Sequence, residues 1–158
     1  MSRKNNLYVG KAGQFHVMSE FLIRGWNVAV PEVDVGDDIF VVRDSNGDFS
    51  RIQVKTANGV ERQNGYSAQF SIPLHQLLVP STPRLTYVLV VRLSNTWENM
   101  LIIERDQLFV EYDAFNVGTV SGKNLILHIS YQDDKIICSN RDWTAFKDNL
   151  EAWEIIPN

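Results

Sequence analysis

Arg51-Ile52-Gln53-Val54-Lys55-Thr56-Ala57 is the stretch whose reading decides the fold. Residues 51–56 alternate polar and apolar, the period of a strand with one buried face, so Arg51, Gln53 and Lys55 share a face. Burial of Ile52 and Val54 is routine, whereas a row of Arg, Gln and Lys on a central strand needs a reason. Upstream, Asp38-Ile39-Phe40-Val41-Val42 is a second strand candidate, and Asp44-Ser45-Asn46-Gly47-Asp48 supplies a turn. Asn-Gly between two such runs favours a two-residue hairpin turn with positive φ at both centres. With Asn46 and Gly47 at those centres, Ser45 pairs with Asp48, Phe40 lies opposite Gln53 and Asp38 lies opposite Lys55. Directly opposed residues point to one face, so a carboxylate, an amide and an ammonium are predicted to converge.

The 158 residues suit one domain, 1–158, with a real core. No apolar run reaches the length of a membrane span and no signal-peptide pattern opens the chain, so a cytoplasmic protein with no membrane partner is expected. Cys138 is the only cysteine, which excludes an internal disulfide and a cysteine-rich zinc site. The formal charge of −4 argues against a basic coat for nucleic acid over the whole surface, but not against a local basic face.

Outward from the hairpin, residues 6–24 read as an amphipathic helix, loosened near Gly10 and Gly13, with Phe15, Met18, Leu22, Phe21 and Val17 on its apolar arc. Gln14 lies within that arc, while Glu20 and His16 point away. Gly25 ends the helix, and residues 26–31 form a short strand. Ser67–Ile72 is a weaker strand, followed by a loop or short helical turn to Pro83. Thr86–Val91 is continuously apolar, as expected of a strand covered on both faces. Met100–Ile103 and Leu125–Ser130 are further strands, with Lys135–Cys138 an edge partner. Asn140 to Ile156 reads as a helix carrying Trp143, Phe146, Leu150 and Trp153. The pattern is helix, mixed sheet, helix: a single α/β domain.

Gly10-Lys11-Ala12-Gly13-Gln14, Arg24 to Pro31, Gly36-Asp37-Asp38-Ile39 and Arg51 to Ala57, in that order, resemble the PD-(D/E)xK nuclease superfamily. Within it, the chain is similar to the branch whose last motif is Gln-x-Lys, which includes bacterial endonuclease-like domains and a group I intron homing endonuclease. The resemblance covers roughly the first third of the chain. It implies a restriction-endonuclease-like core, a mixed β-sheet flanked by helices, and Mg²⁺-dependent hydrolysis of DNA phosphodiesters, with Mn²⁺ as a substitute ion. Asp38 then takes the place of the metal-binding carboxylate, Gln53 the second ligand position and Lys55 that of the catalytic lysine. The family's helical acidic residue falls at Gln14, a departure that leaves one certain carboxylate, with Asp37 or Asp34 as helpers and Glu20 facing the wrong way. A homodimer or homotetramer is also implied, because enzymes of this type that cut both strands present two sites by symmetry. The C-terminal aromatic segment and Leu74–Val79 are candidate contact surfaces.

Charge develops on the oxygens of a phosphodiester during cleavage, which hard divalent cations stabilise. Mg²⁺ is usually held by one or two carboxylates plus water and phosphate, and an amide oxygen is a weaker ligand than a carboxylate. A high Mg²⁺ requirement or loss of cleavage is therefore predicted. Lys55 suits the scissile phosphate, Arg51 a neighbouring phosphate, and Lys11 and Arg62 further phosphate contacts. Each residue has a plainer reading. Arg51, Gln53 and Lys55 also fit a solvated strand face, Asp37 and Asp38 turn chemistry, and Gln14 a hydrogen-bonded amide at the core edge. His16, His75 and His128 show no metal-ligand spacing, and Trp97, Trp143 and Trp153 default to packing. A non-catalytic module on the same fold, binding nucleic acid or protein, is the alternative function.

Overall fold

The computed structural model describes residues 3–33, 36 and 38–147. In chain order the elements are α1 (Arg3–Ile23), β1 (Asn27–Ala29), β2 (Ile39–Arg43), β3 (Asp48–Asn58), β4 (Val60–Arg62), β5 (Gly65–Pro73), α2 (Leu74–Leu78), β6 (Leu85–Leu93), β7 (Thr96–Trp97), β8 (Leu101–Glu104), α3 (Arg105–Phe115), β9 (Thr119–Ser121), β10 (Asn124–Gln132), β11 (Lys135–Cys138) and β12 (Arg141–Asp142), then a 3₁₀ turn, Thr144–Phe146. The strands fall into two sheets. The first has the order β1-β2-β3-β6-β7, with β8 also against β6; the second has the order β12-β11-β10-β5-β4, with β9 against β10.

The mixed character of the first sheet comes from β3 and β6, which pair in parallel from Arg51↔Leu85 to Asn58↔Arg92. Parallel neighbours need a long crossover, and residues 59–84 supply it by way of β4, β5 and α2. The strand β6 is covered on both faces, as its unbroken apolar run implies. Val88 and Val90 pack with Val17, Phe21, Ile52 and Val54 under α1. Leu85, Tyr87, Leu89 and Val91 pack with Phe70, Leu108, Leu125 and Ile129 toward the second sheet and α3. This is a mixed α/β fold with helices flanking the sheet.

Three expectations change. First, the turn between β2 and β3 has four residues, 44–47, closed by Arg43↔Asp48. Asn46 does not take the positive φ that a two-residue turn demands; only Gly47 does. The Asn46 side chain instead accepts from Asp48 N at 3.0 Å and donates to Asp48 Oδ2 at 2.7 Å, and Gly47 N donates to Arg43 O at 2.7 Å. The register slips by two residues, so Phe40 faces Arg51 and Ile39 faces Ile52. An even slip keeps every side chain on its face.

Second, α1 is continuous through Gly10 and Gly13, and its buried face is rotated from the expected arc. Val17 and Phe21 are buried, while Phe15 is 57% and Leu22 54% exposed. The reason is Gly13. A Cβ there would lie 2.0 Å from Thr56 Oγ1, so the backbone of α1 rests directly on β3 at that point. Third, the described part of the expected C-terminal helix is β12 and a 3₁₀ turn, with Trp143 buried in the core. Leu150 and Trp153 lie outside the described residues. The helix α3 had no amphipathic signal because two of its buried residues are Arg105 and Glu111. Its start is fixed by a capping box, in which Glu104 N donates to Gln107 Oε1 at 3.0 Å.

Candidate functional site

The site forms where β2 has not yet begun and β3 has passed beyond it. At that edge the N–H of Val54 lacks a strand partner on the β2 side, and the Asp38 carboxylate accepts from it at 2.7 Å. The same oxygen, Oδ2, accepts from Gln53 Nε2 at 2.7 Å. Asp38 therefore sits beside Gln53 rather than opposite Lys55. Lys55 is half-buried and follows Gln53 by two residues, so the alternation of β3 gives the two a common face.

From above, α1 delivers Gln14, which is 7% exposed. Its Nε2 donates to the Asp38 carbonyl at 2.8 Å, and its Oε1 accepts from Lys11 Nζ at 2.9 Å. Gln14 thus clamps the backbone beneath Asp38 and positions Lys11. From the crossover, α2 delivers Gln76, whose Nε2 donates to Gly36 O at 2.7 Å and to Gln53 Oε1 at 3.4 Å. A side chain at position 36 would press on that amide, since a Cβ there would lie 3.0 Å from Gln76 Nε2 and the residue has φ +103°. Gln76 Oε1 is buried with no hydrogen-bond partner among the described residues. Arg105 holds this short helix in place: its Nη1 donates to Leu77 O, and the guanidinium pairs with Asp106.

Gln14, Asp38 and Gln53 thus form one hydrogen-bonded cluster, with Lys11 attached through Gln14 and Lys55 next along the same strand face. Arg51 is half-buried on β3, one rung earlier than Gln53 on that face. Arg62 is not in the cluster; it lies on β4, donating from Nε to Ser67 Oγ at 2.9 Å. Asp34 and Asp37 lie outside the described residues. Among the described residues, no three His, Cys, Asp or Glu side chains come together as a metal cluster. The oxygens that do gather are the Asp38 carboxylate and the Gln53 side-chain carbonyl. This hard, singly charged set fits an ion of the Mg²⁺ type, held weakly.

Gln76 had no sequence signal, because it sits in a five-residue helix far from the motifs. His16 is stacked on Trp97 with ring centroids 5.0 Å apart, and burial lowers its pKa below 6.5, opposed by Glu20 and aided by Arg92. His75 and His128 make no cluster with it. Cys138 is buried, and burial pushes its thiol up to about 12, which suppresses the thiolate form. No helix of the described residues is long and apolar enough to cross a membrane.

No protein-family model and no curated protein matches this chain. Among solved structures, the chain is similar to a bacterial homing endonuclease, I-Ssp6803I, with a TM-score of 0.57. The likeness covers 98% of this chain and 91% of that one, at 19% sequence identity. At that identity it is a likeness of fold: the nuclease-like arrangement of sheet and helices is shared over nearly the whole length.

Proposed function

We propose that this chain is a Mg²⁺-dependent endonuclease acting on DNA. The observation that carries the reading is the convergence of Gln14, Asp38 and Gln53 at one strand edge, with Lys55 sharing the face of Gln53 on β3. Asp38 and Gln53 would hold the ion, and the bound ion would supply Lewis-acid stabilisation to phosphate oxygens. Lys55 sets its ammonium against the scissile phosphate and favours the deprotonated form of an attacking water. Arg51 clamps an adjacent phosphate, for which a guanidinium fork is suited. Lys11, held by Gln14, adds a third cation at the strand edge. Gln14 acts as a positioning residue, since both ends of its amide are committed to Lys11 and the Asp38 backbone.

The test is nicking of supercoiled plasmid across a Mg²⁺ and Mn²⁺ series. Lys55→Ala is expected to lower the rate at least 100-fold with the fold intact by circular dichroism, and unchanged cleavage would move the chemistry elsewhere. A second reading, a DNA-binding module without turnover, is favoured by one observation: the single described carboxylate is already bonded by Gln53 and Val54. It predicts binding that chelator leaves untouched and no nicking at any metal concentration.

Cutting both strands calls for two copies of the site. The outer side of α1 carries Tyr8, Phe15 and Leu22 at seven-residue spacing, 67%, 57% and 54% exposed. This row suits a helix-to-helix contact between copies. Leu78 and Val79, also exposed, are the usable part of the Leu74–Val79 segment. Sedimentation of the Phe15→Glu variant against the parent protein checks the assembly.

A further inference from the structure

Gln76 lies outside every motif of the sequence, yet its amide reaches two separate parts of the site. It stands on α2, in the crossover between β3 and β6, and its Nε2 donates to Gly36 O at 2.7 Å and to Gln53 Oε1 at 3.4 Å. Gly36 precedes Asp38 by two residues, and Gln53 is the neighbour that donates to the Asp38 carboxylate. The helix is anchored at the next residue, with Leu77 fully buried and its carbonyl accepting from Arg105. Gln76 Oε1 is buried without a partner among the described residues, a cost that an apolar side chain would avoid. What the amide contributes is therefore its N–H donors.

Those donors fix which way round Gln53 sits. A side-chain amide holds a cation through its oxygen alone, because its nitrogen carries hydrogens and only donates. Gly36 O only accepts, so it turns Gln76 Nε2 toward itself and toward Gln53. Gln53 then meets a donor at one end and the Asp38 carboxylate, an acceptor, at the other. Turned over, it would set oxygen against carboxylate and N–H against N–H. Its carbonyl oxygen has two lone pairs, one for Gln76 and one for an ion. An ion at Asp38 competes with Gln53 Nε2 for the same carboxylate, which weakens the hold at that end. The hold from Gln76 is not contested in this way.

We propose that Gln76 is a positioning residue, which fixes the amide of Gln53 with its oxygen presented to a divalent cation. This rests on the nuclease reading, with Asp38 and Gln53 holding the ion, and adds the residue that makes a glutamine serviceable there. A carboxylate at position 53 presents oxygen either way round and needs no such partner. Gln76 therefore matters to the ion only while residue 53 is an amide.

The experiment is calorimetric titration of Mn²⁺ chloride, without DNA, into the full chain and into Gln76→Met, Gln76→Ala, Gln53→Glu and the double variant Gln53→Glu/Gln76→Met. Methionine keeps the length of glutamine and removes both donors, and all proteins are compared at matched folded fraction by circular dichroism. Both Gln76 variants are expected to bind Mn²⁺ about 10- to 100-fold more weakly than the parent protein, the usual loss when a group that orients a metal ligand is removed. In the Gln53→Glu background, Gln76→Met should cost less than about threefold, a non-additivity that marks direct coupling between the two residues. Equal losses in the two backgrounds overturn the proposal and make Gln76 a general support of the fold. Parent affinity retained in both Gln76 variants overturns it as well, and leaves the metal reading standing. Absence of Mn²⁺ binding by the parent protein removes the metal reading and this inference with it.

Discussion

Gln14 stands where the resemblance to PD-(D/E)xK nucleases implies an acidic residue, and its hydrogen bonds favour an amide there. Its carboxamide donates to Asp38 O and accepts from Lys11 in the same conformation. A carboxylate cannot do both, because it would set an acceptor against a carbonyl. Gln14→Glu is therefore expected to lower stability without metal by about 1–3 kcal/mol, the cost of unpairing a buried group. If an ion binds at Asp38, Mg²⁺ or Mn²⁺ should restore melting temperature in this variant and lower the metal concentration needed for nicking. A variant whose melting ignores both metals would leave Gln14 as a structural amide. Gln53→Glu makes the complementary case: it loses the bond from Nε2 to Asp38 and sets two carboxylates together. Its melting temperature should lie below that of the parent protein without metal and rise with Mn²⁺ in a calorimetric titration.

Whether those residues meet at all depends on how elements approach one another. The contact of α1 with β3 passes through Gly13 and Thr56, and this contact aims Gln14 and Lys11 at the strand edge. Gly13→Ala should push the helix outward and destabilise the fold by about 1–3 kcal/mol, as overpacking does. Pairing it with Thr56→Ala, which removes the atom 2.0 Å from the new Cβ, should recover part of the loss in chemical denaturation. Nicking should fall more than stability in the single variant, since the site moves with the helix. The alternation of residues 51–56 was enough to find β3 and its chemical face. The partner register was not readable, because it depended on whether Asn46 bonded its own neighbours or adopted positive φ. For the same reason α2 and Gln76 were invisible: a five-residue helix has no periodicity to detect.

At the scale of the molecule, α3 is tied to β12 of the second sheet and to Trp143 just after it by one buried carboxylate. Glu111 accepts from Arg141 Nε and Nη2 at 2.9 and 2.8 Å and from the Trp143 indole at 3.0 Å. The Arg141 hydrogen bond holds the Glu111 pKa below its ordinary 4.5, with Trp143 helping and burial opposing. A carboxylate with a lowered folded pKa binds fewer protons folded than unfolded, so its contribution is full at neutral pH and is lost as pH falls through and below 4.5. Glu111→Ala should lower stability at pH 7, with about 1–3 kcal/mol from the stranded Trp143 N–H alone. Its deficit should shrink in acid, read as converging melting curves between pH 6 and about pH 3. His16 acts in the same sense at higher pH: its folded pKa is lowered, so stability declines as pH drops below 6.5, and His16→Phe should flatten that limb.

The sequence by itself determined the strand alternation that sets Gln53 beside Lys55, the helix that carries Gln14, the strand covered on both faces at residues 86–91, and an α/β class. Each is a local periodicity, set by which side chains leave water together. Tertiary structure alone decided that Asp38 bonds Gln53 and the Val54 N–H, that Gln76 enters from the crossover, and that the strands divide into two sheets. Those outcomes depend on which backbone groups are left unpaired once distant segments pack, and no local pattern records them.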